Sequence, residues 1–290
     1  MNKFDEEYNR IVRTVSTTGT WKYNERTGLH TLFYHGDMMK FDLGYGTFPL
    51  LTTKKIVVKP MIAELLGFIR GYDNAKQFRD LGCNFWNANA NESKDWLANP
   101  ERKGEDDLGR IYGVQARRWW TDSGYDYPHT TDQLGEVVNK LSKGIDDRRL
   151  VVTHWNPGET HLQALVPCHM MYMFGIRGNE LDLSMIQRSC DVGLGIPMNI
   201  ASYALLLSVI AQITNLRPGI FTHFMHNIHI YENHVEGLNE QLGRVPFDPP
   251  KLSINPDIKS LKDLETWVTP DDFTFTNYNH HPFIKLPFAA

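Results

Sequence analysis

Cys168 stands between a proline and a histidine in "LVPCHMMYMF", where an apolar run begins. The thiolate is the reactive form of cysteine, and cationic neighbours lower a thiol's pKa. The chain offers such neighbours on both sides: Arg188, with Ser189, in "QRSCDVGLG", and Arg148 and Arg149 in "DDRR". Guanidinium groups are always charged and fit phosphate bidentately, so these arginines could bind an anion and activate the cysteine together. Taken alone, Arg148 and Arg149 read as solvated loop charges, and Cys168 as one more small buried thiol. His169 follows the cysteine directly. Successive strand residues point to opposite faces, which favours a structural or supporting role over a proton shuttle.

Three further places carry polar chemistry. In "QRSCDVGLGIPMN" the glycines permit close backbone approach to a ligand, and the Asn199 amide supplies both a donor and an acceptor for a planar base. A lone asparagine near a helix start serves equally as a cap. "HIYENH" sets His229 and Tyr231 on one side of a strand, where their tips could reach a sugar hydroxyl or simply be satisfied in a core. Glu64 sits in apolar "MIAELLGFI". A carboxylate there is costly unless paired, so it either faces solvent or has the raised pKa of an acid/base.

The totals exclude several classes. Among 290 residues, 41% are hydrophobic and 22% charged, enough for a sizeable core in one large or two modest domains. A formal charge of -4 leaves no basic footprint for nucleic acid or an anionic membrane. No apolar stretch reaches the roughly 20 residues that cross a bilayer. The opening "MNKFDEEYNR" is too charged for a signal peptide, so a cytoplasmic chain is expected. Three cysteines without CxxC spacing argue against a disulfide framework or a cysteine zinc site. Twelve histidines include no HExxH-like pair, and adjacent His280 and His281 cannot share a helix face, so no metal is expected.

The elements that must position these residues follow from periodicity. Residues 4–18 predict a helix, and "HTLFYHGDMMKFDL" alternates like a strand or hairpin. "KPMIAELLGFIRG" predicts a helix with Pro60 in its first turn and Gly71 at its end. Residues 88–108 turn polar and predict a surface insertion containing a short helix. "RRLVVTHWN" predicts a strand. "ALVPCHMMYMFGIRG" and "ELDLSMIQRS" predict a hairpin closed by "GN". "IASYALLLSVIAQIT" is apolar nearly all round and predicts a buried helix. "RPGIFTHFMHNIHIYENHVEGLNEQLGR" predicts a strand, a turn and a helix. Helices and strands interleave without regular βαβ spacing, which predicts an α+β fold with a mixed sheet and the buried helix lying across it. The apolar end, "FIKLPFAA", is unusual for a terminus and predicts docking.

Taken together, "DDRR", "PCH", "QRSCDVGLG", "NIASYALL" and "HIYENH" resemble thymidylate synthase in order and spacing. "ERTG", "FPLLTTKK", "AELLGFIRG", "LGRIYG" and "PKLSINPDIKSLKDLE" extend the resemblance over nearly the whole chain, and the polar insertion resembles a bacterial branch of that family. The resemblance implies one catalytic domain over 1–290, a mixed twisted sheet with helices on one face and a homodimer interface on the other. It implies reductive methylation of dUMP, with 5,10-methylenetetrahydrofolate supplying carbon and hydride and no metal. By it, Cys168 attacks C6 of the uracil. Arg26, Arg188 and Ser189 would hold the phosphate, with Arg148 and Arg149 contributed by the other subunit. Asn199 would read the uracil edge, His229 and Tyr231 would hold the deoxyribose hydroxyl, and Gln187 and Asp191 would also contact the nucleotide. Glu64 would organise proton transfer with Tyr112 assisting. Asp191, Trp86, Asn89 and Gly195 would line the folate side. Residues 283–290, ending at Ala290, would close over both ligands and exclude water.

The chain departs from the family pattern at several places. "RTGLHT" replaces "RTGTGT", Asn87 replaces the acid after the folate-side tryptophan, and Arg110 replaces the proline of "LGPVYG". Gly67 stands where a tryptophan is usual, and Val57 where a histidine is frequent. These departures spare the nucleotide side and alter the folate side. They keep open a dUMP hydroxymethyltransferase, in which water instead of hydride finishes the reaction. The related cytosine-nucleotide enzymes carry an acid where Asn199 stands, so uracil is the expected base. A non-catalytic nucleotide- or RNA-binding protein predicts loss of Cys168 or its arginines, and all are present. A cysteine hydrolase lacks its local signature.

Overall fold

Helix α8 (Gly195–Ile213) runs through the interior, with Ile200 to Ala211 buried on every side except at Leu206, Ser202, Tyr203 and Ser208, which remain within 3–7% of closure. By length and composition it is long and apolar enough to cross a membrane, alone among the described residues. Its partners are instead the sheet and the helices around it, so its apolar circumference is that of a core helix. The computed structural model describes residues 2–121 and 129–288.

In chain order the elements are α1 (Lys3–Thr18), β1 (Thr20–Asn24), β2 (Leu29–Asp42), α2 (Val58–Ile69), α3 (Ala75–Asp80), α4 (Asn87–Asn91), α5 (Lys94–Leu97) and α6 (Tyr112–Arg117). There follow β3 (Trp119–Thr121), β4 (His129–Thr131), α7 (Gln133–Ser142), β5 (Val151–Thr153), β6 (His169–Arg177), β7 (Glu180–Asp191) and then α8. Last come β8 (Arg217–Tyr231), α9 (Val235–Leu242), β9 (Lys251–Ile254), α10 (Leu261–Thr266) and β10 (Phe273–Thr276). The main sheet has the order β1-β2-β8-β7-β6-β5. Its ladders are antiparallel except β7–β8, the pair joined through α8. A parallel pair needs a long crossover, and α8 is that crossover.

The core lies between this sheet and α8, α1 and α2. Met39, Phe41, Leu181, Leu183, Met185, Phe221 and Met225 point into it. On the other face Met38 and Phe224 are exposed and Ile186 half-buried. Among the described residues, no layer covers this partly apolar face.

The strand-or-hairpin segment is one long strand. Gly36 has φ 78°, yet pairing resumes beyond it with Asp37 opposite Met225, so a left-handed glycine is absorbed within β2 without a turn. The "GN" hairpin is present, with Gly178 at φ 66° between β6 and β7. The 88–108 stretch is more ordered than a surface insertion. Ala90, Trp96 and Leu108 are buried, the Trp96 indole donates to the Asp107 carbonyl at 2.7 Å, and two short helices replace the one expected.

Candidate active site

Of the three cysteines, Cys83 and Cys190 are buried and Cys168 is not. Burial pushes the Cys83 thiol up to about 12 and the Cys190 thiol upward as well, so both are inert. Cys168 lies one residue ahead of β6 and is held from two sides. Its carbonyl accepts the Arg188 N–H from β7 at 2.8 Å, and its own N–H donates to the Tyr112 hydroxyl of α6 at 2.7 Å. The Arg188 side chain donates from Nε to the Pro167 carbonyl at 2.8 Å and from Nη2 to the Val166 carbonyl at 2.9 Å. Its guanidinium also lies 5.2 Å over the Trp155 ring. Thus Arg188 shapes the cysteine loop as well as bringing a charge to it.

The other arginine pair is elsewhere. Val151 pairs with Met173, which sets Arg149 abreast of Gly175, seven strand positions from Cys168, or roughly 23 Å. Both Arg148 and Arg149 are exposed, and Arg149 pairs with Asp147 at 3.0 Å. Within one chain they do not reach the cysteine.

Asn199 is on the second turn of α8, past the cap position, and its amide is fixed in one orientation. Gln187 Nε2 donates to its Oδ1 at 3.0 Å, and its Nδ2 lies 3.3 Å from His169 Nε2. Burial holds the His169 pKa well below its ordinary value, so the ring is neutral. With Nε2 accepting, the proton sits on Nδ1 and points to the Tyr203 hydroxyl at 3.0 Å. His169 is therefore a supporting group. Gln187 is held in turn by His223, whose Nε2 lies 2.8 Å from Gln187 Oε1. One Nδ2 hydrogen and one Oδ1 lone pair of Asn199 are left over, a matched donor and acceptor.

Glu64 projects from α2 and accepts the Trp86 indole N–H at 3.0 Å. Burial raises its pKa to about 7, with the indole bond working the other way. Glu64 as a whole residue is half-buried. Trp86 itself is only 4% exposed and packs on Phe68, Phe78 and Tyr112. It supports Glu64 and offers little open surface.

At the far side, Asp191 is held below the usual carboxylate range. Burial opposes this, and His234 and the Gly193 N–H overcome it. Burial lowers the His229 pKa, and its Nδ1 lies 2.9 Å from Asn227 Oδ1. Tyr231 packs on His229 with ring centroids 5.2 Å apart, and its hydroxyl interacts with Arg26, which sits in the β1–β2 turn. Gly195 opens α8 between Asp191 and Asn199. Ser189 lends its carbonyl to Gln187 Nε2 at 2.9 Å. Asn89 is half-buried on α4, and no bond ties it to Glu64 or Asp191. Ala290 lies outside the described residues. The segment ahead of it docks: His234 Nε2 donates to the Pro287 carbonyl at 2.7 Å, and Leu286 lies against Gly193 and Gly237.

Two functional-looking groups escape a sequence reading. Lys54 is buried, its ammonium bonded to the Gly193 carbonyl at 2.5 Å, and burial lowers its pKa to about 8. His234 links Asp191 to the docked tail. A lysine in "TTKK" reads as surface, and the second histidine of "HIYENH" carries no signal beyond its proximity to Tyr231. Linked by these contacts are a half-buried cysteine, a fixed amide, a carboxyl that titrates near neutrality and, at Arg26, a charged end. No group of three or more metal-ligating side chains gathers among the described residues.

A family profile described as thymidylate synthase matches residues 6–290. The chain is similar to proteins named thymidylate synthase from Idiomarina loihiensis, at 49% identity over 286 residues, and from Shewanella loihica and Haemophilus influenzae, each at 48%. Each match covers 98% of this chain and 100% of the relative.

Proposed function

We infer the chemistry from one premise: the chain belongs to the thymidylate synthase family. It catalyses reductive methylation of dUMP at C5, with 5,10-methylenetetrahydrofolate as co-substrate. The hydroxymethyltransferase alternative finds no support among these relatives, all named for the methylating activity.

The assignment of roles is our reading. Arg26, Arg188 and Ser189 hold the phosphate, and His229 and Tyr231 meet the sugar hydroxyl. Asn199 takes the N3 proton on Oδ1 and gives its free Nδ2 hydrogen to O4, the pattern that uracil has and cytosine lacks. The Cys168 thiolate adds to C6, and the electron pair of the ring double bond moves through C5 to the C4 oxygen, making C5 a nucleophile. After C5 has gained its substituent and lost its proton, the sulfur leaves C6 and the double bond returns. Glu64, protonated or not near neutrality, is suited to move those protons through water, with Tyr112 holding the cysteine backbone. Gln187 keeps the reading amide in register.

The folate supplies both the carbon and the hydride. Asp191, half-buried with one oxygen tied to Gly193 and held ionised, suits the donors of a pterin edge, and Gly195 leaves that edge open. Trp86 and Asn89 border the same side, and residues 283–288, docked through Pro287, exclude water from it. We place two copies of the chain back to back on the sheet face of Met38 and Phe224, so that Arg148 and Arg149 of each reach the other's phosphate. The chain is cytoplasmic, in keeping with three unpaired cysteines.

The observation that carries this reading is the accessible Cys168 set among groups that fix a donor–acceptor pair at Asn199. Incubation with dUMP and methylenetetrahydrofolate yields dTMP and dihydrofolate in equal amounts. Hydroxymethyl-dUMP without dihydrofolate would overturn it.

A further inference from the structure

Gly67 lies one turn beyond Glu64 on α2, on the same side of the helix. A Cβ there would stand 2.3 Å from Phe78 Cε1 and 2.6 Å from Cδ1, closer than atoms can approach. Phe78 is fully buried, and its ring meets Trp86 at 5.8 Å between centroids, tilted by 31°. The Phe68 and Tyr72 rings box it at 5.8 and 5.7 Å. Trp86 precedes the five-residue α4, and its indole is held by its bond to Glu64 and by the rings packed around it. The next residue on α3, Arg79, donates to Asn87 Oδ1 at 2.9 Å and pairs with Asp106 at 2.6 Å. Consecutive residues of α3 thus grip consecutive residues at the start of α4.

We propose that Phe78, seated in the space Gly67 leaves open, is a positioning residue that holds the Trp86 indole N–H on the Glu64 carboxylate. The proposal rests on the reading of Glu64 as the proton-transfer group. In a chain with a large residue at position 67, the Phe78 ring has no such seat, so the glycine and the phenylalanine act as one unit. Loosening the ring frees Trp86 to withdraw its hydrogen bond, which now favours the ionised carboxyl. The titration of Glu64 then moves to higher pH. The other titratable groups facing it are Cys83, Tyr112 and Tyr203, all pushed upward by burial and silent in this range.

The test compares Gly67→Ala, Phe78→Leu, their combination and Glu64→Gln, following kcat against pH and dUMP binding. Each single variant is expected to lose 10- to 100-fold in kcat with dUMP affinity within about twofold, since a misplacement of about 1 Å costs that much. In each, the pH limb that Glu64→Gln abolishes moves upward, and the combination falls no further than the worse single. An unmoved limb in Phe78→Leu, or losses that multiply, would overturn the proposal. If Glu64→Gln keeps wild-type turnover, the acid/base reading of Glu64 fails instead, whatever the Phe78 variants do.

Discussion

The Tyr112 hydroxyl accepts the backbone N–H of Cys168 at 2.7 Å, joining residues 56 apart in the chain. The nucleophile's position is therefore set by a side chain from α6 as well as by the β7 ladder. Removing that hydroxyl leaves a backbone donor without its partner, at about 1–3 kcal/mol. Tyr112→Phe is expected to lower kcat by about 10- to 100-fold, with dUMP affinity little changed because the phosphate and base contacts remain. Steady-state kinetics beside dUMP titration separates the two. A rise in KM alone would show that the hydroxyl serves binding.

Cys168→Ser keeps the shape and removes the soft nucleophile. The two other thiols are sealed in the core and cannot replace it. Turnover should fall by about 10⁴-fold or more while dUMP still binds within about tenfold. Turnover near the parent rate would sink covalent catalysis at this residue.

Asn199→Asp tests the base reading. The carboxyl can no longer give two hydrogens, so it cannot serve His169 and O4 together. Preference is expected to move from dUMP toward dCMP, with dUMP kcat/KM down by about 10²-fold, since a mispaired buried polar edge costs several kcal/mol. The ratio of dUMP to dCMP turnover is the measurement. An unchanged ratio would remove Asn199 from specificity.

Glu64 makes a prediction about stability. Its carboxyl titrates at about 7 when folded and at the ordinary 4.5 when unfolded. Below the lower value both states are protonated and the difference vanishes. Between the two values the folded state keeps a proton that the unfolded state has released, so stability falls as pH rises, and the loss levels off above 7. The full difference is about 3 kcal/mol at most. Glu64→Gln should then be the more stable protein at about pH 8 and lose that advantage by about pH 5, in urea melts at both. A gap constant with pH would mean that burial of the charge is not its cause.

The elements were legible where local periodicity decides them. The all-round apolar pattern of α8, the Gly178 turn and the Glu64 position in an apolar helix each carry their own signal. The cysteine, its arginine and the reading asparagine were legible as an ordered set. What escaped depends on contacts made across long stretches of chain. Trp86 binding Glu64 22 residues away, Lys54 buried under Gly193, and Phe78 fitting the gap at Gly67 have no local pattern. The order in the 88–108 stretch escaped for a related reason. Its few anchors, Trp96 above all, are outnumbered by polar residues in any window.

Arg148 and Arg149 sit at the far end of the β5–β6 ladder, exposed and too distant to serve Cys168 of the same chain. If they complete a partner's phosphate site, two crippled chains can repair each other. Arg148→Ala alone weakens both sites of its dimer, and Cys168→Ala alone destroys both of its own. In a heterodimer of the two, one site has the intact cysteine facing the intact arginine of its neighbour, and the other has lost both. Tandem purification isolates the mixed dimers, each with one working site of two, so about half of parental activity should return in them. Co-expression of differently tagged variants, tandem purification and an assay of dTMP formation give the number. A mixed dimer no more active than its parents would mean that each chain builds its site alone, and that the apolar sheet face has no part in catalysis.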